Sequence, residues 1–402
     1  MRWSRRLAAS VITSALLGAA GCSVNSGAAA PADIVIGADL ASTSPIDTAY
    51  AAALQLMVEQ INASGQLGTR RLVLRIEDNH LDPTGSLANV SGLAADPAVA
   101  AIVMGSCGEC LQLSAKTIDE QKVPTIALTA SDLRRVPPAG QQWIFKLGPN
   151  SIDDAATMRS ELKRSRLRKI AILYSDDLAG SDAFAALTGG AGNPGLAAAG
   201  VQLTAARRIR AVASDISDAS AAELGRAVDA LVGTRPDAVV VLTGTDQAGL
   251  AARAARKAHF GGRLLFDAIA AGDLFLSRGA APALDGASLV FAKSLGIDDA
   301  IDTTPAKAAQ RQWMRDFTAR NGDYNGPTVF AADAVSLIAR AVAASGDDRG
   351  ALRDALETSR VDGLSGPVRL TAGNHSGLQP DALTVLVAHG GRWRLPVVTQ
   401  RD

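Results

Sequence analysis

The chain has 402 residues, with 40 Lys and Arg against 40 Asp and Glu. Balanced charge leaves no basic footprint for nucleic acid, and an aromatic content of 4% argues against a stacking platform for bases or flat sugars. The length suits two domains of ordinary size behind a leader.

The N-terminus reads as an export signal. Arg2, Arg5 and Arg6 form a basic start, and Leu7 to Ala20 is an uncharged run of fourteen residues. Such a run is too short to cross a bilayer as a helix but suits the apolar region of a signal peptide. Leu17-Gly18-Ala19-Ala20-Gly21-Cys22 places small residues before a cysteine and resembles a bacterial lipobox. The resemblance implies removal of residues 1–21 and lipid on the Cys22 sulfur, which anchors the chain to the outer face of the cell membrane. Arg5-Arg6 hints at twin-arginine export, although the rest of that signal is missing. Residues 22–32, rich in Ser, Gly and Ala, read as a flexible tether. No later segment reads as apolar for long enough to span a membrane.

From Asp33 onward strands and helices alternate. Ile34 to Ala38 predicts a short strand. Ala49 to Ile61 predicts an amphipathic helix with Leu54, Met57, Val58 and Ile61 on one face. Arg71 to Ile76 is the next strand, and Pro83 to Leu93 a helix with Asp82 as N-cap. A buried strand at Ala101 to Met104, a helix at Leu111 to Glu120 and a strand at Thr125 to Leu128 complete the first run. The second run has strands at Lys169 to Tyr174, Val201 to Arg207, Ala238 to Leu242 and Arg263 to Phe266. Its helices are placed at Asp182 to Leu187 and Gln247 to His259. Two such runs predict an α/β protein of two doubly wound parallel-sheet lobes. In such folds ligands sit at the carboxyl ends of the strands, under helix N-termini.

Motifs for catalysis are absent. Gly190-Ala191-Gly192-Asn193-Pro194-Gly195 matches a dinucleotide fingerprint by letter, yet it follows a helix and carries a proline. His389-Gly390-Gly391 reads as a hairpin turn. There is no nucleophile elbow, P-loop or zinc spacing, so no catalytic residue, metal site or cofactor is expected. Trp143, Trp313 and Trp393 read as packing residues, with Trp313 near a cleft rim. Cys107 and Cys110 have C-x-x-C spacing at a helix start. In an oxidising compartment an internal disulfide is expected. A redox-catalytic pair is the rival reading, but the strand order around it is not thioredoxin-like.

The order of segments resembles the leucine/isoleucine/valine-binding protein family, the type I periplasmic solute-binding fold. The resemblance rests on Glu59-Gln60-Ile61-Asn62-Ala63-Ser64-Gly65, on Leu72 to Asp78 followed by Asp82-Pro83, and on Val123 to Ser131. It continues in Arg235-Pro236-Asp237-Ala238-Val239-Val240 and in Gly366-Pro367-Val368 with Gly373 and Gly377. It implies three hinge crossovers between lobes, placed near Leu147 to Ser151, Ala292 to Gly296 and Val361 to Ser365. One lobe then comprises 33–149 and 295–360, the other 150–294 and 361–402, in a monomer.

The family also implies a site. The solute's carboxylate would rest on the loops after the third and fourth strands, here Ser106-Cys107-Gly108-Glu109-Cys110 and Thr129-Ala130-Ser131, where backbone N–H groups and hydroxyls converge. Thr129 and Ser131 serve equally well as turn caps. Ser42-Thr43-Ser44 is a third polar loop at the same edge, or an N-cap before Pro45. In the second lobe the sequence departs from amino-acid binders. Their acidic position falls near Ala268 or Ile269, their tyrosines near Ala179 and Gly244, and their first-lobe aromatic near Ile46. Asp267, Asp246, Asp176 or Asp177 would have to replace the acid, with Thr243 and Thr245 on the wall between, although each Asp also suits a helix cap. The solute is then another amino acid or amine, or a neutral or acidic molecule that needs no ammonium partner. The family implies an exported, lipid-anchored binding protein that delivers a small solute to the permease of an ABC importer. A membrane sensor fed by the same closure is the alternative, and an enzyme the third reading.

Overall fold

The computed structural model describes residues 33–396 apart from 136–140, 193, 213–215, 271–275, 302, 303, 323 and 325. The signal peptide, Cys22 and the tether lie outside the described residues, as does part of the glycine-rich run at 190–195.

The first sheet contains β1 (Ile34–Leu40), β2 (Leu72–Asp78), β3 (Val99–Met104), β4 (Thr125–Ala127) and β5 (Ile144–Lys146), in the order β2-β1-β3-β4-β5. All neighbours are parallel. A strand covered on both faces reads as an unbroken apolar run, and every residue of β3 is buried. The connections are α1 (Pro45–Ser64), α2 (Pro83–Ala95) and α3 (Gly108–Gln121). Each starts on a side chain that accepts from the first turn. Ser44 Oγ accepts from Asp47 N at 3.3 Å, Asp82 from Gly85 N at 2.9 Å, and Cys107 Sγ from Cys110 N at 3.1 Å.

The chain leaves this sheet after β5 and enters α4 (Ser151–Arg164). There follow β6 (Lys169–Ser175), α5 (Leu178–Thr188), β7 (Gln202–Ile209), α6 (Asp218–Val232), β8 (Ala238–Leu242), α7 (Thr245–Lys257), β9 (Arg263–Phe266), the single turn α8 (Ala281–Leu284) and β10 (Ser288–Ala292). Then α9 (Pro305–Asn321), α10 (Thr328–Ser345) and α11 (Arg349–Glu357) return to the first sheet. There α10 packs along α1. The Arg349 guanidinium donates to the carbonyls of Ala94, Asp96 and Val99 at 2.8 to 3.0 Å. The hairpin of β11 (Arg360–Asp362) and β12 (Pro367–Arg369) precedes β13 (Leu383–His389) and β14 (Arg392–Arg394), which close the second sheet. Its order is β14-β13-β10-β9-β8-β6-β7, parallel except for the two C-terminal strands. The architecture is the α/β type with two doubly wound sheets that the alternation predicts.

Several expectations are corrected. The segment expected to make the third crossing, 361–365, contacts the first sheet's side. Asp333 of α10 accepts from Leu364 N and Ser365 N, each at 2.8 Å, and holds that loop on the first sheet's side. Farther on, His375 O accepts from Lys146 N at 2.8 Å, and the His375 ring stacks on Phe145 at 4.4 Å. The chain passes to β13 only after Gly377, which donates to Lys146 O. One later helix does meet the length and apolarity of a membrane span, α10, but 72% of it is buried as a core helix. Four helices also begin before their apolar periodicity does. α1, α3, α5 and α7 start at Pro45, Gly108, Leu178 and Thr245, because Pro, Gly and polar residues in their first turns interrupt the hydrophobic signal. β5 and α4 went unread. The strand has only three residues, and α4 shows its apolar spacing only at Ala155, Met158 and Leu162.

Candidate functional site

The carboxyl ends of both sheets face one cavity of about 310 Å³. The first sheet contributes Ser44 and Ile46 at the start of α1, Ser106, Cys107, Gly108 and Glu109 at the start of α3, and Ala130 and Ser131 after β4. The second contributes Asp177 and Ala179 at α5, Gly244, Thr245 and Asp246 at α7, and Ala268 and Ile269 after β9. Four helix N-termini, with their unpaired N–H groups and partial positive charge, therefore border the space.

The loops of the first sheet converge on one buried carboxylate. Asp47, in the first turn of α1, accepts from Ala41 N at 2.9 Å and Ser106 N at 2.8 Å. Burial pushes its pKa up to about 6 despite those bonds. The close approach requires Gly105, whose Cβ would stand 2.5 Å from Asp47 Oδ2. Cys107 and Cys110 are joined by a disulfide across a Cα separation of 5.2 Å, at the N-terminus of α3. Ser131 Oγ is buried with no hydrogen-bond partner and sits over Gly108, 2.1 Å from where a Cβ would be. Gly108 leaves room for that hydroxyl.

Of the residues singled out from sequence, Ser44, Cys107, Gly108, Ser131, Thr245 and Asp246 line the cavity. Ser42, Thr43, Thr129, Asp176, Thr243 and Asp267 do not. Ser42 is exposed and donates to Asp78 through both its N–H, at 3.1 Å, and its hydroxyl, while Thr43 is exposed beside it. Thr129 is fully buried and closes its own turn, its Oγ1 accepting from Ser131 N at 3.1 Å. Asp176 accepts from Ala211 N at 2.8 Å. Thr243 is buried and donates to Gly244 O at 3.4 Å. Asp267 turns inward, accepts from Ile269 N at 3.3 Å, and is pushed up to about 7 by burial. Asp154 of α4 is raised well above its ordinary value by burial and by the Asp267 charge. Trp313 is buried beside Phe317 on α9, away from the cavity.

Sequence reading missed the apolar floor. Tyr50 of α1, with its hydroxyl donating to Leu128 O at 3.3 Å, lies there with Phe291 of β10 and Phe330 of α10. The phenyl rings of the latter pair meet edge to face at 5.8 Å. The helical spacing that marked Leu54 and Met57 also covers Tyr50, but periodicity does not say which buried residue borders a space. Asp177 and Glu109 also face the cavity; Glu109 falls in the loop expected there, though the sequence assigns its side chain no role.

Among the described residues, hydrogen bonds span the cleft at two places. Glu109 Oε1 of α3 accepts from Leu178 N, the first residue of α5, at 2.9 Å. Asp182 Oδ2 of α5 accepts from Asp132 N at 2.9 Å.

No curated protein is similar in sequence. Solved structures share the fold. An extracellular ligand-binding receptor from Rhodopseudomonas palustris HaA2 superposes with a TM-score of 0.76 at 19% identity, covering 91% of this chain and 100% of that one. A solute-binding protein of an ABC transporter from R. palustris, in complex with benzoate, gives 0.74 at 18% identity over 90% and 94% of the two chains. A leucine-binding protein from Thermotoga maritima MSB8 gives 0.73 at 15% identity over 90% and 98%. The model of the periplasmic binding protein family matches residues 35–391, and with that match and the two facing sheets the chain belongs to this family, in its type I, leucine-binding-protein-like form.

Proposed function

We propose that this chain is an exported, lipid-anchored solute-binding protein that closes its two halves on a small organic molecule and presents it to the permease of an ABC importer. The two halves are 33–149 with 295–377, and 150–294 with 378–402, moving about the three crossings. The observation that carries the reading is the cavity itself. Its wall is built from helix starts of both sheets, so a solute that touches both walls stabilises the closed arrangement. The polar contacts would come from Ser44, Gly108 and Ser131 on one side and from Thr245 and Asp246 on the other. Similar structures are in complex with benzoate and, for an ABC transporter substrate-binding protein from Desulfitobacterium hafniense, with Leu, both small organic molecules. Among the described residues that line the space, no nucleophile and base converge. The lipobox-like sequence ending at Cys22 supports the anchor.

Two measurements test this. A solute that binds the native state must raise the melting temperature by mass action, and closure must lower the radius of gyration in small-angle scattering. A chain whose radius of gyration and melting temperature ignore every amino acid, amine and small carboxylate tried is not a capture protein. Co-purification with a permease rather than a signalling receptor separates import from sensing.

A further inference from the structure

The charge of the cavity wall is one-sided. It carries three carboxylates, Glu109, Asp177 and Asp246, and among its described residues no Lys, Arg or His. Two of the three have a structural duty for one oxygen only. Glu109 Oε1 accepts from Leu178 N at 2.9 Å. Asp177 Oδ1 accepts from Gly180 N at 2.8 Å and Ser175 Oγ at 2.7 Å. These bonds bring the two carboxylates to the same helix start from opposite sides of the space. The buried cation behind the wall, Lys146, is committed elsewhere, its ammonium donating to Pro149 O at 2.6 Å and Asn150 Oδ1 at 2.8 Å. Within the same cavity Ser131 Oγ is buried, 4% exposed for the residue, and has no partner. An orphaned hydroxyl in a native site calls for a ligand group to satisfy it. The remaining wall is apolar, with Ile46, Tyr50, Ile269 and Phe330.

We propose that the solute is an organic ammonium ion, its positive group held by Glu109, Asp177 and Asp246, a hydroxyl or further N–H on Ser131 Oγ, and its carbon skeleton on the apolar wall. This rests on the solute-capture reading and specifies its substrate class. A simple carboxylic acid would enter as a fourth anion, with only the partial positive charge of the helix starts to set against three full negative charges. An ammonium ion supplies the missing charge and reaches acids from both halves, so it favours closure.

The experiment uses the full-length chain in detergent and skeleton-matched probes of opposite charge, benzylamine against benzoate and putrescine against succinate, with a wider set of primary, secondary and quaternary amines. Melting shifts and calorimetric titration are read on the native chain and on Glu109→Gln with Asp177→Asn, which keep the acceptor oxygens and remove the charges. The proposal expects an amine to raise the melting temperature where its carboxylate twin does not, and the double variant to weaken that amine at least tenfold. Should the double variant fail to fold, the matched pairs and Asp246→Asn carry the test. Binding of the carboxylates without the amines overturns the charge assignment and leaves solute capture standing. Amine binding that survives neutralisation overturns the assigned residues, and no response to any amine overturns the proposal.

Discussion

The two walls of the cavity are held by different means. On the first wall a single buried carboxylate, Asp47, ties together the loops after β1 and β3. A second, Asp39, accepts from Asn79 and Asn89 at 2.9 Å and from Ser86 at 2.5 Å. Of three aspartates in the second wall's loops, two serve their own turn and Asp176 reaches a neighbouring loop. Asp177 caps α5, Asp176 holds Ala211, and Asp267 holds Ile269. A wall fixed by shared hubs resists substitution at its closest approaches, while a wall of separate caps can change residue by residue. Of the positions where the family resemblance implies a departure from amino-acid binders, Ala179, Gly244, Ala268 and Ile269 stand on the second wall and Ile46 on the first.

The largest expected effect concerns which wall the segment before β13 belongs to. Phe145→Ala removes a fully buried ring of the first sheet and the stacking partner of His375. It should cost about 4 kcal/mol in urea unfolding and raise hydrogen exchange at 370–378 more than in β13. Faster exchange confined to β13 would place that segment with the second half.

Next is the inward carboxyl of the second wall. Burial raises the Asp267 pKa above its ordinary value to about 7, so the neutral acid is the form the fold prefers. Its contribution to stability is full below about pH 4 and is lost as pH rises through about 7. Asp267→Asn should therefore stabilise the protein by about 2–3 kcal/mol at pH 8 and by almost nothing at pH 4. An equal gain at both pH values would refute the assignment.

A matched pair of glycines sharpens the contrast. Gly105→Ala would push a Cβ onto the Asp47 carboxylate, while a Cβ at Gly244 meets nothing within 4 Å at a φ of −58°. The first should cost about 2 kcal/mol and the second under about 0.5 kcal/mol. Similar costs would mean the walls are equally rigid.

The smallest effect lies across the cleft. Glu109→Ala with Asp182→Ala removes the two bonds that span the cleft. Each such bond is worth about 1 kcal/mol net, so the solute-free chain should shift toward an open form with a larger radius of gyration. An unchanged radius would show that other contacts hold the halves together.

Much of this was legible. The unbroken apolar runs of β3 and β8 and the Asp82-Pro83 helix start fixed elements directly. The segments at 59–65, 123–131 and 235–240 identified the family. Ser44, Gly108 and Ser131 were readable because small polar residues after a strand and before a helix fall at one sheet edge. The acids were not separable that way. Asp176, Asp177, Asp246 and Asp267 all follow strands, and only two face the cavity, because one residue of difference in a turn sends a carboxylate inward, outward or onto an N–H. Glu109 and Tyr50 lie inside helices, where sequence marks a face but not what that face meets.

Sequence alone thus determined the two alternating runs, their parallel sheets and the edge at which their loops collect, since apolar periodicity and capping residues act over a few positions. Tertiary structure decided which side chains share a space, where the third crossing falls and that the wall is acidic. Those depend on contacts such as Glu109 with Leu178 and Lys146 with His375, between residues 69 and 229 positions apart, which no local pattern encodes.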